Sequence, residues 1–404
     1  MRKTIVYRKI FLLMLLCGAL KGEAQIVNTG QNIFIDNQGL FFVETTYDHS
    51  GGSILDNGTF QINGNITNKD ANSTVFIPAS TGTVNLSGNT QIIGGTNKIT
   101  FPNLSLLGSG SVTLGFNADV LGTLALNTKE FKANEFNLTI TNPLFSSITR
   151  TSGFISTDKV SNDKEGKLIR STNSTSPYLF PVGSASLYRP LEFVPLDVLP
   201  SSFGVTFTNA DPNGKKYNRE SKRNDIQKVF DKYYYIINQE SGSANTNVRF
   251  YQSALEAEYK QLVAWSVFNL WEKASPSIAT EGNFNEGLVR YLTYTSTGAI
   301  RNTPFTYATS SSNDSPLTFF NAFSPDGDNI NETWVINNID LFPSNTLTIF
   351  NRWGDEVFKA KPYTSGKAWD GGNLTSGTYF YVLNVDIYGT QKTYKGFINM
   401  VKKN

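Results

Sequence analysis

The sequence predicts an all-β protein made of three successive β regions, and three observations support this fold class. Short apolar runs alternate with Thr, Ser and Asn through the first third of the chain, and Gly or Asn closes each run. The middle of the chain has longer strand-like runs between widely spaced prolines. The last fifth is densest, with about seven strand patterns in under a hundred residues, as in small β-sandwiches. We therefore expect an N-terminal parallel β-solenoid-like region, a middle β-sandwich-like domain and a C-terminal immunoglobulin-like β-sandwich.

Composition excludes several functional classes. The chain of 404 residues has 39 % hydrophobic and only 17 % charged residues, which is too apolar for a disordered protein. Its formal charge of +2 provides no basic excess for phosphate contacts, so we expect no nucleic-acid partner. One Cys and one His cannot form a zinc site that needs several such ligands.

The N-terminal residues have the pattern of a secretory signal peptide. Two basic pairs precede an apolar run at residues 10–20, which is too short to span a bilayer. Small residues at Gly22 and Ala24 place cleavage after Ala24, so the mature chain is expected to begin at Gln25. The single cysteine, Cys17, leaves with the signal; Leu16 stands before it, where a lipoprotein signal needs a small residue. The mature chain then has 30 bases, 32 acids and no disulfide.

Residues 25–156 are interpreted as the solenoid-like region. Alternating side chains send one face of each strand inward, and short turns repeat closely enough for each rung to cover the next. An irregular sandwich is the alternative. The strand-like runs lie at residues 53–56, 59–62, 74–77, 83–86, 91–93, 98–101, 111–114, 123–126 and 136–140. The segments 101–106, 111–114 and 121–126 also resemble the repetitive passenger regions of adhesin-like surface proteins from gliding bacteria.

Residues 157–309 are expected to form the sandwich-like domain, followed by a polar linker at 310–316. Strands are predicted at residues 191–196, 203–208, 230–237, 263–268, 288–293 and 303–308, with a helical turn or two at 254–262. Basic residues cluster between Lys215 and Arg223. This cluster suits either an acidic polysaccharide or phosphate, or a solvated hairpin loop, and the loop is the favoured interpretation.

Residues 317–404 form the last predicted domain and contain the most specific motifs. In the run at residues 378–387, Tyr379 and Tyr381 point to one face and Phe380 to the other, which predicts a central strand. The motif residues, in chain order, are Asn321, Phe323, Pro325, Asp326, Gly327, Asp328, Trp334, Asn351, Arg352, Trp353, Gly354, Trp369, Asp370, Gly371, Gly377, Thr378, Tyr379, Tyr381, Lys402 and Lys403.

With these motifs the C-terminal region resembles the gliding-motility-associated C-terminal domain, the type B sorting signal of the type IX secretion system. The family usually has Gly and an Asn-Asp pair in the Asp-Gly-Asp loop, whereas this chain has Asn329 and Glu332. The resemblance implies export through the periplasm and the outer membrane to the cell surface or the extracellular space. It also implies two partners, the type IX machinery and an outer-membrane partner protein. The terminal strand with Lys402 and Lys403 is either their docking face or a plain closing strand with a solubilising tail.

Asp326, Asp328, Asn331 and Glu332 are the only candidate metal ligands. Closely spaced oxygen ligands suit calcium, although Ile330 and Asn331 break the EF-hand pattern. The alternative is an Asx-turn loop that closes the sandwich. No other cofactor is expected.

No catalytic motif is recognised, and we expect no enzyme activity. Asp48, His49 and Ser50 are adjacent, but neighbours on a strand alternate faces and do not form a triad, so His49 is predicted to lie in a loop. The leading hypothesis is a non-catalytic surface protein, adhesin-like or structural, linked to gliding or attachment. The alternative is a secreted carbohydrate-binding or carbohydrate-active protein with the same sorting domain, so surface polysaccharides and other cell-surface ligands are candidate partners.

Overall fold

A computed structural model describes residues 25–157, 165–184, 187–274, 278–310, 317–387 and 390–402. The predicted signal peptide with Ala24, most of the predicted linker (residues 311–316) and Lys403 lie outside these residues. The chain divides into two compact units, Met1–Ser310 and Ser311–Asn404. Strands account for 54 % of the structure and there is no α-helix among the described residues, which confirms the all-β class. None of the described segments is a helix of the length and apolarity that crossing a membrane requires.

The first unit begins with a parallel β-solenoid of about six turns, as predicted. Successive turns stack in register: Val84 pairs with Leu104, and Leu104 with Leu124, a step of about 20 residues each time. The strands are β1 (Gln25–Ile35), β2 (Leu40–Val43), β3 (Thr46–Asp56), β4 (Thr59–Ile62), β5 (Ile66–Asn68), β6 (Thr83–Leu86), β7 (Thr90–Gly95), β8 (Ile99–Phe101), β9 (Leu104–Leu106), β10 (Ser111–Leu114), β11 (Ala118–Val120), β12 (Leu124–Ala125), β13 (Glu130–Lys132), β14 (Asn137–Ile140), β15 (Ile148–Thr149), β16 (Phe154–Ser156) and β17 (Lys167–Thr172). This parallel stacking excludes the alternative of an irregular sandwich.

Three sheets form the sides of the solenoid, and two of them continue into the middle region. In one, β16 pairs in parallel with the strand Val182–Ser184, which then pairs with Leu187–Tyr188. In the other, β14 pairs with β17 in parallel, and β17 then pairs with the strand Ser201–Thr208 in antiparallel fashion. The predicted division at residues 156 and 157 is therefore not a break in either sheet. One continuous apolar core extends from Ile35 to Tyr307.

The middle region is a sandwich of two sheets, as predicted. The strands that follow β17 in the first unit are β18 (Tyr178–Phe180), β19 (Val182–Ser184), β20 (Leu187–Tyr188), β21 (Leu191–Pro195), β22 (Ser201–Thr208), β23 (Ile226–Val229), β24 (Tyr234–Ser241), β25 (Thr246–Ser253), β26 (Gln261–Trp265), β27 (Trp271–Lys273), β28 (Ile278–Phe284), β29 (Leu288–Thr295) and β30 (Thr303–Ser310). Of these, β19 and β20 belong to the nine-stranded solenoid sheet and not to the sandwich. A five-stranded sheet, β18-β21-β25-β29-β28, packs on the extension of the ten-stranded solenoid sheet. The Phe250 ring lies 5.4 Å from both Tyr235 and Phe305 of that extension.

The second unit has its own core and consists of two sheets. Its strands are β31 (Thr318–Phe319), β32 (Ala322–Phe323), β33 (Ile336–Asn337), β34 (Asn345–Phe350), β35 (Glu356–Ala360), β36 (Gly377–Ile387) and β37 (Thr390–Met400). The five-stranded sheet has the order β32-β37-β36-β34-β35, so β36 is central, as expected. The ribbon β31-β33 covers one face, where Phe319 stacks on Tyr381 at 5.2 Å.

Six short 3₁₀ turns complete the described structure. The expected helical turn at residues 254–262 is a single 3₁₀ turn. The turns are Phe145–Ser147, Pro212–Lys215, Ala254–Glu256, Asn285–Gly287, Ile339–Leu341 and Ser365–Lys367.

Candidate functional site

Two of the three motif tryptophans of the second unit, Trp334 and Trp369, lie in its core. Trp334 and Trp369 are buried and joined by a backbone bond from Trp334 N to Trp369 O of 2.7 Å. The Tyr363 hydroxyl donates to the Trp334 carbonyl and accepts from Trp369 N at 3.1 Å. A buried hydroxyl that is satisfied on both sides fixes the spacing of the two segments.

Other motif residues also face inward. Phe323, Tyr379 and Tyr381 are buried, with the Phe323 ring 5.3 Å from Trp369 and the Tyr381 ring 4.8 Å from Trp334. Gly371 is in the left-handed region with φ +77°, and a Cβ there would lie 2.1 Å from the Met400 sulfur. Together these motif residues build the core of this small fold.

The segment from Asn351 to Gly354 is a tight turn that exposes an indole. The Asn351 side-chain oxygen accepts from the backbone N–H of Trp353 at 2.9 Å and of Asp355 at 3.0 Å. Gly354 provides the left-handed residue with φ +89°. Trp353 is 79 % exposed, and the Arg352 guanidinium lies 5.6 Å from its ring. The turn thus presents a cation–aromatic pair to solvent.

The outer face of the five-stranded sheet has a row of three phenylalanines, which we call the Phe row. Phe350, Phe380 and Phe397 are in register on β34, β36 and β37. Phe380 is 48 % exposed and Phe397 46 %. The alternation at residues 378–387 had placed Phe380 away from the tyrosines, but pairing with two distant strands was needed to reveal the row.

Two hydrogen bonds hold Lys402 against the second unit. Its Nζ donates to the Gly372 carbonyl at 2.6 Å, and its backbone N–H to the Ser376 hydroxyl at 2.8 Å. The preceding strand β37 pairs along its length with β36, whereas β32 covers only Asn399 and Met400 on its other side. Most of β37 is therefore an edge within the described residues, and such an edge can accept another strand.

In the predicted calcium loop the three carboxylates lie close together. One carboxylate oxygen each from Asp326, Asp328 and Glu332 lies within 4.8 Å of the others. The same carboxylates serve the loop itself: Asp328 accepts from Ile330 N at 2.8 Å and Glu332 from Asn329 N at 2.9 Å. Asn331 contributes its backbone carbonyl to Ser324 N at 2.9 Å. The loop therefore has the hydrogen bonds expected of an Asx-turn loop and also the close oxygen spacing expected of a calcium site.

In the first unit the residues around His49 do not form a triad. His49 is buried on β3, and not in a loop as predicted, because β3 is longer than the apolar run suggested. Its Nε2 lies 3.1 Å from the Ser73 hydroxyl, while its buried Nδ1 has no hydrogen-bond partner. Asp48 instead pairs with Lys69 at 2.8 Å. Because no carboxylate accepts a hydrogen bond from the His49 Nδ1, the His49–Ser73 pair lacks the orienting group of a catalytic histidine.

Comparison with known proteins agrees with the architecture of the second unit. Residues 317–400 match the CHU_C type IX secretion signal domain. Neither a curated protein nor a solved structure matches the chain. The C-terminal unit is thus a type IX sorting signal, which implies contact with that secretion machinery and export to the cell surface or the extracellular space.

Proposed function

We propose that this protein is a non-catalytic surface protein that uses its type IX signal for display and its first unit for attachment. The observation that carries the proposal is the pairing of a sorting signal with a solenoid that continues into a sandwich. Stacked turns create long, regular faces suited to contact with extended partners. Gliding is the cellular process in which such attachment would act.

Attachment can be measured directly. A strain that lacks the gene is expected to adhere and spread less than its parent, and the intact gene restores both. A matched strain expresses the chain without residues 311–404, which controls for loss of display. Unchanged attachment and spreading in the deletion strain would overturn the proposed function.

The exposed indole and the Phe row support a docking role for the second unit in export. Core aromatic residues cannot be contacted by a partner, whereas Trp353, Phe380 and Phe397 are available at the surface. Large aromatic residues and arginine contribute most of the binding free energy at protein interfaces. We place the contact with the machinery, including an outer-membrane partner, on these residues and on the edge of β37 that β32 leaves uncovered within the described residues.

Substitution of Trp353 tests this docking surface. The Trp353→Ala chain is expected to accumulate in the periplasm, with at least about a tenfold lower cell-surface fraction, the equivalent of roughly 1.4 kcal/mol of lost contact. Leu341→Ala is the control, because this exposed apolar side chain is on a different turn. Normal display of the Trp353→Ala chain would exclude the indole from docking.

We also propose that the loop at residues 326–332 binds calcium. Calorimetric titration of the mature chain with calcium is expected to give heat that Asp328→Asn removes. No heat at millimolar calcium would end the calcium hypothesis and leave the loop as an Asx-turn structure.

A further inference from the structure

The outer face of the five-stranded sheet in the first unit has a cluster that the sequence did not reveal, which we call the aromatic–arginine patch. Its residues come from five separate segments of the chain: most lie on or just after strands of this sheet, Tyr188 lies on β20 of the solenoid sheet, and Arg150 follows β15. They are Arg150, Tyr188, Glu192, Arg249, Tyr251, Phe284, Glu286 and Tyr291.

Three rings form the apolar part of the patch. Tyr251 and Tyr291 are paired on β25 and β29, with centroids 5.3 Å apart. Phe284 lies 5.2 Å from Tyr251 and 5.6 Å from Tyr291. Phe284 and Tyr291 remain partly exposed, so their rings offer flat apolar surface to solvent.

One arginine lies beside these rings in a fixed position. The Arg249 guanidinium lies 5.2 Å from the Tyr291 ring and donates to Glu192 at 3.1 Å. The Tyr251 hydroxyl donates to the same carboxylate at 2.7 Å. Each planar group is therefore held before any ligand arrives, which lowers the entropic cost of binding.

The second arginine has a parallel arrangement. Arg150 lies 4.1 Å from the Tyr188 ring and donates to both carboxylate oxygens of Glu286, at 3.0 and 2.8 Å. Glu286 is in the left-handed region with φ +62°, so the turn after β28 holds a strained backbone where it meets Arg150. Strain of this kind tends to be kept at binding sites.

The charges of the patch cancel, which decides the class of ligand. Two arginines face two glutamates, so the patch attracts neither anions nor cations as a whole. In the basic cluster at residues 215–223, Arg219 pairs with Asp211, Lys222 with Glu220 and Arg223 with Glu272, so these three charges are also balanced by neighbours. The flat rings suit a ligand with apolar ring faces. The fixed hydrogen-bonding groups, whose charges balance in pairs, suit an uncharged ligand with many hydroxyls.

We propose that the aromatic–arginine patch binds an uncharged polysaccharide. Pyranose rings stack their C–H faces on Tyr291 and Phe284, while sugar hydroxyls bond to the Arg249 and Glu192 side chains. This inference rests on the proposed surface attachment and names its ligand class. A patch that only braces the sheet would contain the same internal contacts, so the test uses a readout that bracing does not change.

Affinity electrophoresis of the mature chain tests the inference, with hydroxyethylcellulose, galactomannan or pullulan in the gel. At least one of these neutral polymers is expected to retard the chain, and alginate is expected not to. Tyr291→Ala should weaken binding about tenfold, equivalent to roughly 1.4 kcal/mol. Phe116→Ala is the matched control, because Phe116 and Phe136 form a half-buried ring pair on the solenoid, 5.9 Å apart.

A second variant covers the case in which Tyr291→Ala destabilises the sheet. Arg249→Lys keeps the charge but loses the planar fork, and it should also weaken retardation at an unchanged melting temperature. No retardation by any neutral polymer, equal retardation by alginate, or variants that bind normally would each overturn the inference. Loss of attachment in the deletion strain without polysaccharide binding would refute the inference alone; binding with normal attachment would refute the proposed function alone.

Discussion

At the scale of single residues, the sequence pattern did not predict which polar side chains are buried inside the solenoid. His49 and Asp56 are both fully buried on β3. Burial lowers the pKa of the His49 imidazole, which favours its neutral form. Burial also raises the pKa of the Asp56 carboxyl to about 6, and its Oδ2 has no partner.

Asp56 should make stability depend on pH in a defined direction. Its pKa is higher in the folded than in the unfolded chain, so its ionisation destabilises the fold as pH rises from about 4 to about 6. Asp56→Asn removes that ionisation and is expected to raise the melting temperature at pH 7 by about 2–4 °C, with little gain at pH 4. Exposed Asp36→Asn is the control. A gain that does not change with pH between 4 and 7 would contradict the assignment.

In the solenoid strands that the sequence analysis identified, alternation predicted the apolar inward side but not the polar groups buried between turns. Val84 and Leu86 were assigned inward by period two, and they are fully buried. The burial of His49 depends on the loop that contains Ser73, in the next turn of the solenoid. Such contacts depend on stacking between turns, which local sequence does not encode.

At the scale of elements, the sandwich contains a buried ion pair that connects a turn to a strand edge. Arg189 donates to Glu256 at 2.8 Å and to Ser253 at 2.8 Å, and Glu256 also completes the capping box of its 3₁₀ turn. Both charged side chains are almost fully buried. Such a pair is costly to break, because one buried charge would remain without its partner.

Replacement of Glu256 by Ala is expected to lower the free energy of unfolding by about 3–5 kcal/mol. Glu258→Ala is the matched control: this glutamate is two residues away, pairs with Lys228 at 3.8 Å and is exposed, so a loss below about 1 kcal/mol is expected. Denaturant unfolding of the mature chain gives both values. Equal losses in the two variants would show that the Arg189–Glu256 pair does not brace the turn.

Seven of the strands from β1 to β17 were predicted within a residue or two, namely β4, β6, β7, β8, β10, β12 and β14. The other strands were not predicted to that accuracy, the sheet connections were not predicted, and the predicted strand at residues 74–77 has only isolated bridges. The runs at residues 59–62, 83–86 and 111–114 coincide with β4, β6 and β10. The change from parallel to antiparallel pairing at β17 was missed, because a strand's own residues do not specify the direction of its neighbour.

At the scale of the whole molecule, a secreted chain without a disulfide relies on core size and strand pairing. Its only cysteine lies in the predicted signal peptide. The first unit has one core that extends through solenoid and sandwich, and the second unit has a separate core. Because the cores are separate, the second unit can act as a signal without contributing to the fold of the first.

The architecture and the sorting signal could be predicted from sequence, but the surfaces used for recognition could not. Motifs such as Trp334 and Trp369 identify the C-terminal fold because they build its core. The Phe row and the aromatic–arginine patch are formed by register between distant strands. Surfaces of this kind become visible only once the pairing is known.

The measurement that tests the central claim most directly is the distribution of the protein between periplasm and cell surface, with and without residues 311–404. The intact chain is expected at the surface or in the medium, and the truncated chain in the periplasm as a folded, protease-resistant first unit. A truncated chain that still reaches the surface would contradict the assignment of the C-terminal unit as the export signal.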